Sequence, residues 1–413
     1  MKVYKFGGAS IRNAAALRNV ASIIGRHKEQ LLVVVSAIGK TTNTLERIVS
    51  SSHEKHTSSA EVNVLRNYHY EIADSLFEKS NTVWLELEKL FEQIEIEATK
   101  KGDYDQVYDQ VVSLGEVISS LMLSHYLSSV GIENEWIDAR HFISTDNNFR
   151  EAKVDWDKTE KQTLKLHTIL NGKIIITQGF IGSTSTGVTT TLGREGSDFT
   201  AAIFASCLQA ESVTIWKDVP GVMNADPKRL PAATVFEELP FKEAAEMTYY
   251  GASVIHPKTI KPLANKGIPL LVKNFDDPSL PGTKIHECKI DHLPPLIVFK
   301  DNQCLISCKV TDYTFIDEHH LGVIFHALSE KNMKVNVMQT SAISFSFCVD
   351  FRENKVIDLV RELGKKFEVY YNTGLTLITI KNYDQKTVDE YRLKAGVVLE
   401  QSSRSTLQVL VKS

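Results

Sequence analysis

Thr189-Thr190-Thr191-Leu192-Gly193-Arg194-Glu195-Gly196-Ser197-Asp198 runs straight into an apolar stretch, 199–208. Ahead of it stand the strand-like Ile174-Ile175-Ile176-Thr177 and the turn Gln178-Gly179-Phe180-Ile181-Gly182. A β-branched run that ends in small residues and leads into a helix is the unit of a layered α/β fold. A Gly/Thr-rich segment opening a helix directs free backbone N–H groups at an anion. Arg194 adds a planar fork for a carboxylate, and Asp198 a hard oxygen for Mg²⁺ or for orienting a lysine.

The same grammar recurs on either side. Val3-Tyr4-Lys5-Phe6 ends at Gly7-Gly8 and precedes a helix expected over Leu17–Arg26. Leu31–Val35 is a continuous apolar strand, buried on both faces, that ends in Ser36-Ala37-Ile38-Gly39-Lys40-Thr41-Thr42-Asn43. Val213–Trp216 reads as a further buried strand. Strands ending in Gly, Ser, Thr and Asp put candidate site residues at the carboxyl edge of a sheet, where open α/β folds bind ligands. Ser50 to Ser59 reads as a polar loop, followed by helices at about 61–79 and 83–99. In the second of these Val83, Leu87, Leu90, Ile94 and Ala98 share a face. Glu86, Glu88, Glu92, Glu95 and Glu97 lie off it, as on a solvated helix face.

The chain has 413 residues, with 47 Lys plus Arg against 51 Asp plus Glu and a formal net charge of −4. That length suggests two or three domains, and the composition is that of an ordinary soluble protein. The slight acidic balance speaks against a nucleic-acid or anionic-membrane partner. No stretch reads as the ~20 apolar residues of a membrane span. The first residues run from a strand into Gly7-Gly8, so no secretory leader is expected. Cysteines 207, 288, 304, 308 and 348 form no Cys-x-x-Cys pair, consistent with reduced thiols in the cytoplasm.

The pattern changes near 286–295, where a polar stretch closes with Pro294-Pro295. Beyond it come Leu305–Val310, a helix at about 320–331, Val335–Gln339, Phe345–Phe351, a helix at about 354–366, and Leu375–Ile380. This β-α-β-β-α-β order is the ferredoxin-like layout, and a helix-strand-strand tail at about 386–412 partly repeats it. The expected division is therefore 1–295 and 296–413, with the last module truncated.

Gly39-Lys40-Thr41 is not a P-loop, because Val34 occupies the position of its first glycine. Lys5 beside Gly7-Gly8 can neutralise a transferring phosphoryl, although a lysine before an ordinary strand-to-helix turn reads the same way when taken alone.

Taken together, these blocks resemble the aspartate kinases of the amino-acid kinase family. Lys5 to Ser10 matches Lys-Phe-Gly-Gly-Thr-Ser with Ala9 for Thr, and Val34 to Asn43 matches the Val-Val-Ser-Ala-x-Gly-x-x-Thr-Asn loop. Ser113-Leu114-Gly115-Glu116, Asp138-Ala139-Arg140, Thr191–Asp198, Asp218–Val222 with Asp226-Pro227, and Gly251–Pro257 match further family blocks in family order. The resemblance implies a three-layer αβα sandwich with a mainly parallel sheet, followed by ACT-type modules. It implies transfer of the ATP γ-phosphoryl to the side-chain carboxylate of L-aspartate, with Mg²⁺, by a monofunctional enzyme. By resemblance Lys5 and Asp198 carry the chemistry, assisted by Gly7 and Gly8. Ser36, Thr42, Glu116, Phe180, Arg194 and Ser197 form the substrate pocket, with Arg194 on the α-carboxylate and Glu116 on the α-ammonium. Lys217, Asp218, Met223, Lys228 and Ser253 lie around the nucleotide. No metal is held by direct side-chain ligation, except that Asp198 suits Mg²⁺.

Departures from the family pattern add expectations. Ser253 stands for a nucleotide-site lysine, and Lys217, where relatives carry Thr, is expected to supply the missing cation. Glu195 stands for Gly and is expected to point outward, away from phosphate. In the C-terminal part, Gly322 fits the turn that opens the first ACT helix, and Asn336, Gln339, Thr340 and Ser341 fit the effector strand. That strand is read either as a site for lysine or threonine or as part of a dimerisation platform without effector. Both imply a homodimer or higher homo-oligomer. Two other functions fit the residues: a catalytically silent amino-acid sensor, motivated by Ser253 and Glu195, and a kinase for glutamate or a nucleotide monophosphate.

Overall fold

The structure, a computed structural model, describes residues 1–27, 29–54, 59–166, 173–251, 255–312 and 314–412. It divides into two compact units. The first comprises Met1–Val222, Val235–Ala245 and Val254–Lys289, the second Met223–Thr234, Glu246–Ser253 and Ile290–Ser413. The main division thus precedes Pro294-Pro295, and two short stretches from within the expected first domain go with the second unit. No change in composition marks those two stretches.

The first unit is built on an eight-stranded sheet in the order β3-β4-β2-β1-β7-β9-β10-β8. Its strands are β1 (Lys2–Phe6), β2 (Leu31–Val35), β3 (Asn134–Trp136), β4 (Ile174–Gln178), β7 (Ser212–Lys217), β8 (Glu238–Pro240), β9 (Leu270–Asn274) and β10 (Thr283–His286). Every neighbouring pair is parallel except β9–β10. Two short strands, β5 (Ile181–Ser183) and β6 (Thr189–Thr191), form a separate antiparallel ribbon.

Leu31, Val33 and Val35 face a layer that includes α1 (Ala14–Gly25), α2 (Thr41–His53), α3 (Ser59–Asp74), α4 (Val83–Ala98) and α5 (Tyr104–Ser129). A short helix, α6 (Trp156–Thr163), follows β3 in the chain. The next helix, α7 (Gly196–Cys207), packs on β1, β2 and β7. The alternation of a strand buried on both faces therefore separates two helical layers. Helix α5 is long and apolar enough to cross a membrane, contrary to the sequence expectation, but most of it is buried inside the unit as a core helix.

Two local expectations change. Ser50–His53 closes α2 rather than forming a loop, and Ser59 opens α3; 55–58 lie outside the described residues. The α4 glutamates are only partly a solvated face, because Arg66 bonds Glu95 at 3.1 Å and Tyr70 donates to Glu88. None of the five cysteines is in a disulfide.

The second unit carries an antiparallel six-stranded sheet, β12-β13-β11-β14-β16-β15. The strands are β11 (Leu296–Lys309), β12 (Val335–Thr340), β13 (Ser344–Asp350), β14 (Glu368–Lys381), β15 (Val397–Ser402) and β16 (Thr406–Lys412). Helices α8 (Phe241–Tyr250) and α9 (Pro257–Lys266) precede it in the chain, and α10 (Glu318–Glu330), α11 (Glu353–Leu363) and α12 (Gln385–Arg392) intervene. The order β11-α10-β12-β13-α11-β14 is ferredoxin-like, and α12-β15-β16 follows it. Strands β11 and β14 are each 14 residues long, so one pair of strands serves both halves of the sheet. Gly322 lies inside α10 rather than in its opening turn, because Asp317 caps the helix earlier, accepting from the His320 N–H at 2.9 Å.

Candidate active site

Sheet register brings the chemistry to one edge. Phe6 pairs with Val35 on one side and Trp216 on the other. The loops that follow β1, β2 and β7 therefore leave the sheet side by side. The first two interlock: Gly39 N–H donates to Gly8 O at 3.1 Å, and Ser36 N–H to Phe6 O at 3.1 Å. A Cβ on Gly8 would lie 2.8 Å from the carbonyl oxygens of Ala37 and Gly39, so only glycine permits this approach.

Below the loops lies a cavity of about 950 Å³ in the first unit. It gathers Lys5, Gly8, Ser36, Thr42, Glu116, Phe180, Arg194, Ser197, Asp198 and Lys217, which the sequence had scattered over more than 200 positions. Asp198 sits in the first turn of α7, where the helix dipole favours an anion. Its Oδ1 is 2.6 Å from Lys5 Nζ and its Oδ2 is 3.6 Å from Lys217 Nζ. Burial alone would raise the Asp198 carboxyl, but the charges of Lys5 and Lys217 outweigh it and hold it below the ordinary range. With an ammonium beside each oxygen, Asp198 anchors both lysines, as the lysine-orienting expectation has it. Among the described residues no group of three or more His, Cys, Asp or Glu could hold a metal ion.

Glu116 projects from the middle of α5. Burial pushes its carboxyl up to about 8, against a backbone hydrogen bond from Ala37 and the charge of Lys5. Its Oε2 is buried with no hydrogen-bond partner among the described residues. Arg194, which lines the same cavity, is exposed and pairs with no carboxylate among the described residues. A buried carboxylate oxygen lacking a donor and a guanidinium lacking an acceptor therefore line one cavity. With Glu116 ionised, the two suit a zwitterion.

The turn between them is tightly built. A Cβ on Gly179 would fall 2.4 Å from Ser197 Cβ, and one on Gly196 would fall 2.6 Å from the Phe180 ring. Phe180 (φ 71°) and Glu195 (φ 53°) both occupy the left-handed region. Glu195 does not point wholly outward as expected: it lines the cavity, and its Oε2 is buried. Its left-handed backbone, just ahead of α7, accompanies this turn of the side chain towards the wall.

The remaining expected residues are not all brought here. Gly7 lies beside the cavity, where an added Cβ would be 3.5 Å from Lys5 Nζ. Asp218 is exposed after β7 and is not among the lining residues. Met223 and Lys228 belong to the second unit. Ser253 lies outside the described residues. Asp138 and Arg140 pair with each other at 2.6 Å and shape a turn.

Sequence reasoning missed Glu46, Asp105, Tyr108 and the segment Asn148–Glu151, all of which line the cavity. Arg150 (φ 67°) stacks 4.2 Å over Tyr108 and bonds Glu46 and Asp105 at 3.2 and 3.3 Å. No motif marks them, since they converge only in the folded chain.

Residues 1–274 match the model of the amino acid kinase family. The lysine-sensitive aspartokinase 3 of Escherichia coli is 33% identical over 395 residues, covering 92% of this chain and 87% of that protein. Crystal structures of E. coli aspartokinase III, one with lysine and aspartate and one with aspartate and ADP, superpose with TM-scores of 0.84 and 0.83. Both are 30% identical and are covered to 96%, with all of this chain aligned. The chain belongs to the amino acid kinase family and, within it, to the aspartokinases. Its function is that of an ATP-dependent aspartate kinase.

Proposed function

We propose that the cavity holds L-aspartate with its α-carboxylate on Arg194 and its α-ammonium on Glu116, and that the side-chain carboxylate faces the transferring phosphoryl at Lys5. The buried, donor-less Oε2 of Glu116, in the cavity that Arg194 also lines, carries this reading. Thr42, Phe180 and Ser197 line the same space, and Gly7, Gly8 and Ser36 offer hydrogen bonds to phosphate oxygens. When bound, Mg²⁺ would neutralise charge on the phosphates of the nucleotide. An aspartate carboxylate oxygen forms the new bond to the γ-phosphorus as the bond to the β,γ-bridging oxygen breaks, giving 4-phospho-L-aspartate and ADP. Lys5 and Lys217 neutralise the equatorial oxygens, and Asp198 holds both ammonium groups in place; such a transfer needs positioning and charge more than covalent help. Asp218, Met223, Lys228 and Ser253 keep their assignment to the nucleotide on the sequence resemblance alone.

The second unit is read as an amino-acid-responsive module, with lysine as the first ligand to test, and β12, an edge strand, as a candidate contact between subunits of a homo-oligomer. A cytoplasmic enzyme fits the free cysteines. The test is an ATP- and Mg²⁺-dependent hydroxamate assay with L-aspartate against L-glutamate. Aspartate-specific product that disappears in Glu116→Ala and Arg194→Ala supports the assignment. Equal turnover of glutamate, or full activity in either variant, overturns it.

A further inference from the structure

A fully buried carboxylate, Asp109, lies two turns before Glu116 on α5. It does not line the cavity. Its Oδ1 and Oδ2 share the Arg150 N–H at 3.1 and 3.0 Å. Oδ2 also accepts from Thr191 N–H at 2.8 Å, and Oδ1 from Thr191 Oγ1 at 2.7 Å. One side chain thus binds two segments far apart in sequence. The first is the loop that places Arg150 at the cavity in a left-handed conformation disfavoured for a residue with a Cβ. The second is β6, three residues ahead of Arg194. The two are also joined directly, Ala152 N–H donating to Thr191 O at 3.0 Å. Gly193 then passes so close to the loop that a Cβ on it would fall 3.2 Å from Arg150 O.

We propose that Asp109 is a positioning residue for aspartate binding: its carboxylate fixes, through backbone hydrogen bonds, the two segments that deliver Arg150 and Arg194 to the cavity. The geometry needs acceptors only. All its donors point at one carboxylate, and an amide of the same shape turns an NH₂ group against at least one N–H. This inference rests on the reading of Arg194 as the substrate's carboxylate anchor.

The test is steady-state kinetics on Asp109→Asn, with thermal unfolding run in parallel. The expected result is a KM for aspartate raised about tenfold, with kcat and the KM for MgATP changed less than about threefold. Thr191→Val, which removes one O–H donor and keeps the β-branched shape, gives a smaller rise in the same constant. Combined with Asp109→Asn it adds little, as expected for groups sharing one interaction. Arg194→Ala is the control. If it leaves the KM for aspartate unchanged, the pocket reading fails. If it raises that constant while Asp109→Asn moves both KM values together or neither, the positioning role is wrong. Should Asp109→Asn not fold, Thr191→Val decides: a folded variant with an unaltered KM for aspartate overturns the proposal.

Discussion

Lys217 Nζ lies 3.6 Å from Asp198 Oδ2, the carboxylate oxygen not taken by Lys5. The pairing follows from the sheet, since β1 and β7 are adjacent and in register up to Phe6 and Trp216. Removing this cation should weaken the hold on nucleotide phosphates while leaving Lys5 anchored. Lys217→Ala is expected to raise the KM for MgATP about tenfold, in line with a lost charge-assisted hydrogen bond, and to affect the KM for aspartate far less. A rise below about twofold in initial-rate assays would remove Lys217 from the nucleotide site.

Glu116 makes aspartate binding dependent on pH. Its carboxyl is pushed up to about 8 by burial, so in the free enzyme at neutral pH it is largely protonated and cannot pair with an ammonium. The value of kcat/KM for aspartate should therefore climb as pH rises and level off above about 8. A separate loss is expected below about 6, the value to which burial pushes Asp109 against its hydrogen bonds from Thr191 and Arg150. In Glu116→Gln the upper limb should vanish and the lower remain. Stability runs the opposite way: folding favours the protonated form, so the contribution of this group is complete below the ordinary carboxyl range and lost as pH rises through about 8. Glu116→Gln should gain melting temperature relative to the parent in alkaline buffer. A pH-independent difference would contradict the buried-carboxyl assignment.

Much of this could be read from the chain before folding. Strands such as Leu31–Val35 announce themselves by continuous β-branched and apolar residues, and Lys5, Arg194 and Asp198 sit in glycine-rich runs where backbone approach is the evident purpose. Helix α5 is harder to read, because a core helix is apolar on all sides and shows no amphipathic period; only the block Ser113-Leu114-Gly115-Glu116 marks it. Arg150 and Asp109 carry no local signal. Their roles arise from contacts across 41 and 82 positions, to each other and to Thr191, which no spacing rule encodes. Glu195 was misjudged because a charge argument ignored its left-handed backbone, which helps decide where its side chain goes.

The interlock of the β1 and β2 loops yields a stability prediction. Gly8→Ala places a methyl 2.8 Å from two carbonyl oxygens, both backbone atoms that cannot swing away. The loop must move, at a cost of about 1–3 kcal/mol. Because Gly8 lines the same cavity as Lys5, kcat should fall as well. Differential scanning calorimetry with parallel rate measurements would check both. An unchanged melting temperature would show that the loops adjust without strain.

The last prediction concerns regulation. On β12, Asn336 is already satisfied within the unit: Lys300 Nζ donates to its Oδ1 at 2.9 Å, and its Nδ2 donates to Gln303 Oε1 at 2.7 Å and Asp350 Oδ1 at 2.9 Å. Lys300 also pairs with Asp350 at 2.7 Å. Burial would raise the Asp350 carboxyl, but the bonds from Lys300, Gln303 and Asn336 reverse this and hold it below the ordinary range. An ammonium thus already occupies the acceptor that an incoming lysine would use on this strand, and a ligand must displace it. Inhibition by lysine is therefore expected only at roughly millimolar concentration. Lys300→Met, which removes the ammonium from Asn336 Oδ1 and Asp350 together, should lower the half-inhibitory concentration about tenfold. Dose–response curves on both proteins decide the matter. Equal sensitivity in the two would place the effector elsewhere, and inhibition of the parent at micromolar lysine would mean that the internal ammonium does not compete.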